Sequence, residues 1–145
     1  GEVCVIRLFE YRALAKIIGI WLEGNLQAHA FIGEEHWKQN YESVKSVLPN
    51  AEVYVYEEAG EIRGFLGMDA DYIAGLFIKE EYRGRGIGHR LIETVKRMKR
   101  LSLHVYERNK GAVAFYRAEG FKVQQSMTEK ETGEKEFLMV YGESE

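Results

Sequence analysis

Between a run of apolar residues and an amphipathic stretch lies the segment Arg83-Gly84-Arg85-Gly86-Ile87-Gly88. Glycines at this spacing let the backbone turn sharply and approach a ligand closely, and a helix starting there presents unpaired N–H groups and the positive end of its dipole. The chemistry that suits such a place is the binding of a phosphate or pyrophosphate, to which Arg83 and Arg85 add charge and fork-shaped donors. A tight strand-to-helix turn without a ligand would use glycines in the same way. A P-loop is excluded because no Gly-Lys-Ser/Thr closes the segment, and the dinucleotide fingerprint fails because His89 stands where its third glycine belongs. A nucleotide-bearing ligand of another kind remains.

The elements around the loop follow from periodicity. Val3, Val5, Ile6 and Leu8 read as a first strand. Leu14, Ile17, Ile18, Trp21 and Leu22 recur at helical spacing over residues 11–25, with Gly24-Asn25 as the expected stop, and Trp37, Tyr41, Val44 and Leu48 make the stripe of a second helix ended by Pro49. The period then changes to two. Residues 53–56 and 62–68 form a hairpin about Ala59-Gly60, and Tyr72 to Ile78 is apolar enough to be a central strand covered on both faces. After the glycine loop a helix turns Ile87, Leu91, Ile92, Val95 and Met98 inward. Residues 101–106 are the next strand, 110–118 a short helix, and 121–127 with 136–141 a last hairpin. The expected fold is a mixed α/β layer in the order β-α-α-β-β-β-α-β-α-β-β, with about seven strands, four helices and one domain over residues 1–145.

Composition is consistent with a soluble globular chain: of 145 residues, 46% are hydrophobic and 30% charged. A net charge of -3 argues against a general nucleic-acid binder. The one cysteine, Cys4, excludes an internal disulfide and a multi-cysteine metal cluster, so a reducing, cytoplasmic setting is expected, with Cys4 as a small buried side chain. The apolar stretch from Ala13 to Leu22 is too short for a spanning helix, and no membrane association is expected.

Arg83-x-x-Gly86-x-Gly88 resembles the acetyl-CoA-binding signature of the GNAT superfamily of N-acetyltransferases, which reads Gln or Arg, two residues, Gly, one residue, Gly or Ala. Residues 105–109, Val-Tyr-Glu-Arg-Asn, followed by Ala114-Phe115-Tyr116 and Gly120-Phe121, resemble the family's later motif. Trp21-Leu22-Glu23, residues 29–32, Trp37 and residues 48–51 are similar to the bacterial YiaC/YjaB-type branch, for which protein lysines are one acceptor. The resemblance implies a GNAT-like fold, acetyl-CoA as co-substrate and a primary amine as acceptor, with no metal. It implies that Leu76, Phe77 and Ile78 pair through their backbone with the pantetheine arm. Gly84, Arg85, Gly86, Ile87, Gly88 and His89 with Arg83 would hold the diphosphate, and Asn109 the arm or its sulfur end. Tyr116 would be the general acid for the departing thiolate.

The reaction sets its own demands. A lysine amine with a pKa of ~10.4 is neutral in only about one molecule in a thousand near pH 7.4, so a proton must be removed before it attacks the thioester. No Ser/His/Asp or Cys/His arrangement is evident, and direct attack in a ternary complex needs none. The resemblance implies a glutamate on the fourth strand, or a carboxylate acting through water, as base. Asp69 and Asp71 are the acids available there, each read more readily as a solvated strand-end charge than as the base, and a water on a backbone carbonyl would also serve. His29, Phe31, Asp71 and Tyr72 are candidates for the acceptor pocket, as is Trp37, although its place on the second helix's apolar stripe assigns it to the core. His104 alternates with core positions, and residues 96–100 form a basic helix end. The rival function is an acetyl-CoA sensor without catalysis, and the chain is expected to be a monomer or a homodimer.

Overall fold

Switching hydrophobic period from 3.6 to 2 and back divides the chain into the elements of a single mixed sheet flanked by helices. The computed structural model describes residues 3–142. Seven strands run β1 Cys4–Leu8, β2 Glu52–Glu58, β3 Glu61–Asp69, β4 Tyr72–Ile78, β5 Arg100–Tyr106, β6 Lys122–Thr128 and β7 Lys135–Gly142, in the spatial order β1-β2-β3-β4-β5-β7-β6. Four α-helices, α1 Leu14–Ala28, α2 Glu34–Val47, α3 Ile87–Val95 and α4 Lys110–Ala118, pack on its faces. The expected architecture and order of elements are those of the structure. None of the described helices is long and apolar enough to cross a membrane.

Alternation along the strands sends side chains to two cores. On one face, Ile87, Leu91, Ile92 and Val95 of α3 and Tyr116 of α4 pack on Leu66, Met68, Ile73, Leu101, Leu103, Val105 and Met139. On the other, Leu14, Ile17, Ile18 and Ile20 of α1 pack on Val53, Val55 and Phe65. All pairings are antiparallel except β4 with β5, which is parallel because α3 carries the chain back across the sheet.

That parallel pairing is short. It comprises Tyr72 with Ser102 and Ile73 with Leu103, after which the strands part although both continue. The cause is visible on the other side of β4: Gly67 pairs with Gly75 and Met68 with Ile73, so Ala74 is an extra residue, a bulge that bends the strand away from β5. Coverage of β4 is therefore not complete, as its apolar sequence had suggested. Ile73 is buried, but Ala74 is exposed and residues 75–78 are only partly covered, because the neighbour that would cover them has turned aside.

Two further expectations are corrected. Helix α1 does not stop at Gly24-Asn25 but passes through both to Ala28. Gly24 is there for close approach, since a Cβ on it would lie 2.9 Å from the Phe77 ring of β4. Asn25 is held inside the helix by donating to the Trp21 carbonyl at 3.0 Å. Cys4 is exposed rather than buried, at the sheet edge, where Arg90 of α3 reaches its sulfur at 3.2 Å.

Leu91 is fully buried on the one helix that carries the glycine loop. Truncating it, Leu91→Ala, is expected to lower the unfolding free energy by about 2–5 kcal/mol through lost transfer energy and the cavity left behind. Urea denaturation of the two proteins measures this directly.

Candidate active site

Where β4 and β5 diverge, a cleft of about 970 Å³ opens through the sheet. Its walls are Ala74 to Ile78 of β4 on one side and His104 to Tyr106 of β5 on the other, with the glycine loop at one end. The backbone groups of the two strands that face each other across the gap have lost their ladder partners, and strand edges in that state accept an added extended segment.

The loop end is built for an anion. Gly84 and Gly86 have φ of 76° and 83°, values that L side chains rarely adopt, and Gly86 is the residue before α3. No side chain caps α3, so its first amides stay open, and Gly84, Gly86, Ile87, Gly88 and His89 all line the cleft. A fixed anchor holds the loop: Tyr82 donates to Glu61 at 2.6 Å and Lys79 donates to the same carboxylate at 3.0 Å. These two bonds, Tyr82 first, pull the Glu61 pKa down to about 2. Arg83 is braced by hydrogen bonds at 3.3 Å to the Ile78 carbonyl and to Gln27, its guanidinium lying on the cleft wall. Arg85 is not on the wall; it sits over the Tyr82 ring at 5.4 Å. His89 lines the cleft but turns Nδ1 to Glu119 at 2.8 Å.

Tyr116 enters from α4. Its ring is buried against Phe115 and Phe121, yet the residue lines the cleft. Burial alone pushes its phenol pKa up, so it holds its proton at neutral pH. Asn109 opens the same helix. Its Oδ1 accepts from the Ala112 amide at 3.2 Å, the N-cap bond of α4, while its Nδ2 lies 3.0 Å from His29 Nε2. The turn role and the cleft-wall position therefore coincide in one residue.

His29 is the centre of the opposite end. Asn25 Oδ1 lies 2.8 Å from its Nδ1 and Asn109 Nδ2 faces its Nε2, so Nδ1 carries the hydrogen and Nε2 accepts. The ring stands among Phe31, Trp37 and Tyr106, and burial lowers its pKa to about 4. With both nitrogens engaged, His29 positions its neighbours and has no free lone pair for an acceptor. Phe31 meets His29 and Tyr106 edge to face just outside the cleft wall, and Trp37, core as expected, also lines it with a buried indole N–H that has no partner among the described residues. Tyr72 lines the cleft, its hydroxyl 2.7 Å from His104 Nδ1. Asp69 and Asp71 lie exposed at the β3–β4 turn and neither reaches the cleft wall.

Two carboxylates on the wall were not expected: Glu129, after β6, and Glu136, on β7. Glu129 accepts from Tyr106 at 2.8 Å and from Thr132 at 2.7 Å. Glu136 stands beside Tyr106 across the β5–β7 ladder, and burial first, then the charge of Glu129, raises its pKa. The available signal was the alternation of the last strand, which puts residues 136, 138 and 140 on one face, but not which strand they would adjoin.

A mixed sheet parted beside a bulge, with an uncapped helix start at the opening, is the architecture of GNAT-type acyltransferases. Residues 49–123 match the acetyltransferase (GNAT) domain family, and the chain belongs to that family of enzymes. The peptidyl-lysine N-acetyltransferase YiaC of Escherichia coli K12 is 34% identical over 131 residues, 88% of this chain and 90% of the relative. Peptidyl-lysine N-acetyltransferase YjaB of the same strain is 32% identical over 123 residues, 83% of this chain and 84% of the relative. The solution structure of apo YjaB from Escherichia coli superposes with a TM-score of 0.85 at 27% identity, covering 97% of this chain and 99% of that one. The PaiA N-acetyltransferase of Thermoplasma acidophilum, solved with coenzyme A, has a TM-score of 0.79 at 23% identity over 97% of this chain and 99% of that one, a likeness of fold.

The lowered pKa of His29 has a consequence for stability. Its folded value lies below the ordinary 6.5, so the unfolded chain takes up the proton first as pH falls. This contribution to stability is whole above about pH 6.5 and is lost progressively toward pH 4. Replacing the ring, His29→Gln, is expected to flatten that part of the profile, read from urea midpoints of both proteins between pH 7 and 4.

Proposed function

We propose that this enzyme transfers the acetyl group of acetyl-CoA to a primary amine, with lysine side chains of proteins as the acceptor class, by direct attack in a ternary complex. The observation that carries this reading is the parted strand pair, running from an uncapped helix start past unpaired strand backbone to a buried tyrosine. The names of the YiaC and YjaB relatives support the acceptor class.

In this reading the diphosphate of the coenzyme lies against the amides from Gly84 to His89, with Arg83 as its guanidinium partner and Arg85 as a more distant charge. The pantetheine arm takes the place of the missing strand beside Leu76, Phe77 and Ile78, whose edge is exposed by the bulge at Ala74. Asn109, already committed to α4 and His29, keeps one amide hydrogen for the arm. The thioester is then held near the apex of the split, where unpaired backbone amides are available to the oxyanion. As the neutral amine attacks the carbonyl carbon, the carbon–nitrogen bond forms and the carbon–sulfur bond breaks. Tyr116, kept protonated by burial, gives its proton to the thiolate.

Acetyl-CoA at a hundred times its dissociation constant is expected to stabilise the protein by ~2.7 kcal/mol, measured as a thermal shift. No shift at millimolar acetyl-CoA would overturn the reading. Tyr116→Phe is expected to keep that shift while lowering the rate of thiol release with a lysine peptide about a hundredfold. A shift in the parent enzyme without thiol release from any amine or lysine peptide would instead mark a sensor.

A further inference from the structure

We propose that His104, seated by Tyr72 at the point where β4 and β5 part, takes the proton of the acceptor's ammonium group, and that Glu136 and Glu129 draw that cation to it. The inference rests on the reading above, in which the thioester lies at the apex of the split.

The two sides of the sheet have different roles at that apex. Tyr116 belongs to the core beneath α3 and α4, together with Leu103 and Val105 of β5. His104 falls between those two residues, so its side chain stands on the opposite face, where it is exposed and lines the cleft. Ser102 and Tyr106 share that face, and Tyr72 pairs with Ser102, which brings its hydroxyl to His104 Nδ1 at 2.7 Å. An acceptor arriving on this face meets the thioester from the side away from the acid.

Apart from Glu136, whose carboxylate no described hydrogen bond engages, and Tyr116, assigned above to the sulfur, the other titratable groups of the cleft are already committed. His29 uses both nitrogens on Asn25 and Asn109. His89 faces Glu119, Tyr82 donates to Glu61, and Tyr106 donates to Glu129. Asp69 and Asp71 lie off the wall. Only His104 combines a place at the apex with a nitrogen, Nε2, that no described hydrogen bond engages. The Tyr72 contact holds the ring in one orientation, and the base is the tautomer in which Nδ1–H donates to the Tyr72 oxygen and Nε2 keeps its lone pair.

The charges that surround it suit an ammonium ion. From β7, Glu136 lies diagonally across the ladder and acts on His104; Glu129, beyond β6, acts on Glu136 and, with it, on Tyr72. Among the described residues neither carboxylate is in an ion pair. A lysine ammonium entering here gains two uncompensated carboxylates and passes one proton to Nε2. The neutral amine then attacks, and the imidazolium, facing Glu136, returns its proton to water. The second surplus proton of the ammonium replaces the one that Tyr116 gives to sulfur.

The test compares parent, His104→Gln and Glu136→Gln in thiol release from acetyl-CoA with a lysine peptide between pH 7 and 9.5, with the thermal shift by acetyl-CoA and the urea midpoint measured on each. His104→Gln is expected to keep the shift and the midpoint, to lose at least about tenfold in kcat at pH 7.5, and to recover to within about threefold by pH 9.5, where the amine sheds its own proton more readily. Glu136→Gln is expected to raise KM for the peptide more than it lowers kcat, an effect that shrinks with added salt. Parent-like turnover of His104→Gln at pH 7.5, or a loss equally deep at every pH, overturns the inference while leaving the acetyltransferase reading intact. If the glutamine variant fails to fold, His104→Asn is subjected to the same comparison. A parent enzyme that binds acetyl-CoA and acetylates nothing removes the reading, and this inference with it.

Discussion

A β-strand's backbone groups have to be paired, and in most sheets the unpaired ones lie at the rim. Here the ladder fails in the middle: β4 and β5 exchange the pairs at Tyr72 and Ile73 and then separate. Ala74, the extra residue on β4, bends the strand, and Phe77 lodges against α1 where Gly24 leaves room for it. The site is thus a consequence of how the sheet is interrupted. Had β4 continued to pair with β5, the loop, Tyr116 and His104 would each exist in the same elements with no shared space between them.

The resulting cleft is electrically polar along its length. At one end stand Arg83 and the open amides of α3; at the other stand Glu129 and Glu136. A ligand with an anionic head and a partner with a cationic tip would each find one favourable end, and exchanging them would place like charge against like. The overall charge of -3 hides this separation, which explains why composition says nothing about the acceptor.

The parts of the site that are contiguous in sequence were legible. The glycine loop declares its strained conformation through residue type, and Asn109 and Tyr116 lie within one short motif, at the cap and in the last turn of one short helix. Parts assembled by register were not. Glu136 belongs to the cleft because β7 inserts between β5 and β6 and aligns it with Tyr106, a pairing that alternation alone does not specify. Glu129 lies in a connection that reads simply as a charged turn. Gly24 looked like a helix end because close packing against an aromatic ring leaves the same residue type as a C-cap does. Cys4 looked buried because the edge position of β1, which exposes it, is a property of strand order.

Asn109 ties the two halves of the molecule through a single amide: one atom secures α4, the other reaches the ring on the segment between α1 and α2. Loop grafting between relatives must therefore treat positions 29 and 109 as one heritable unit. A transplanted α1–α2 connection lacking the imidazole would strand the amide hydrogen in a half-dry environment, and the strain would surface in the helix that bears Tyr116, far along the chain from the graft.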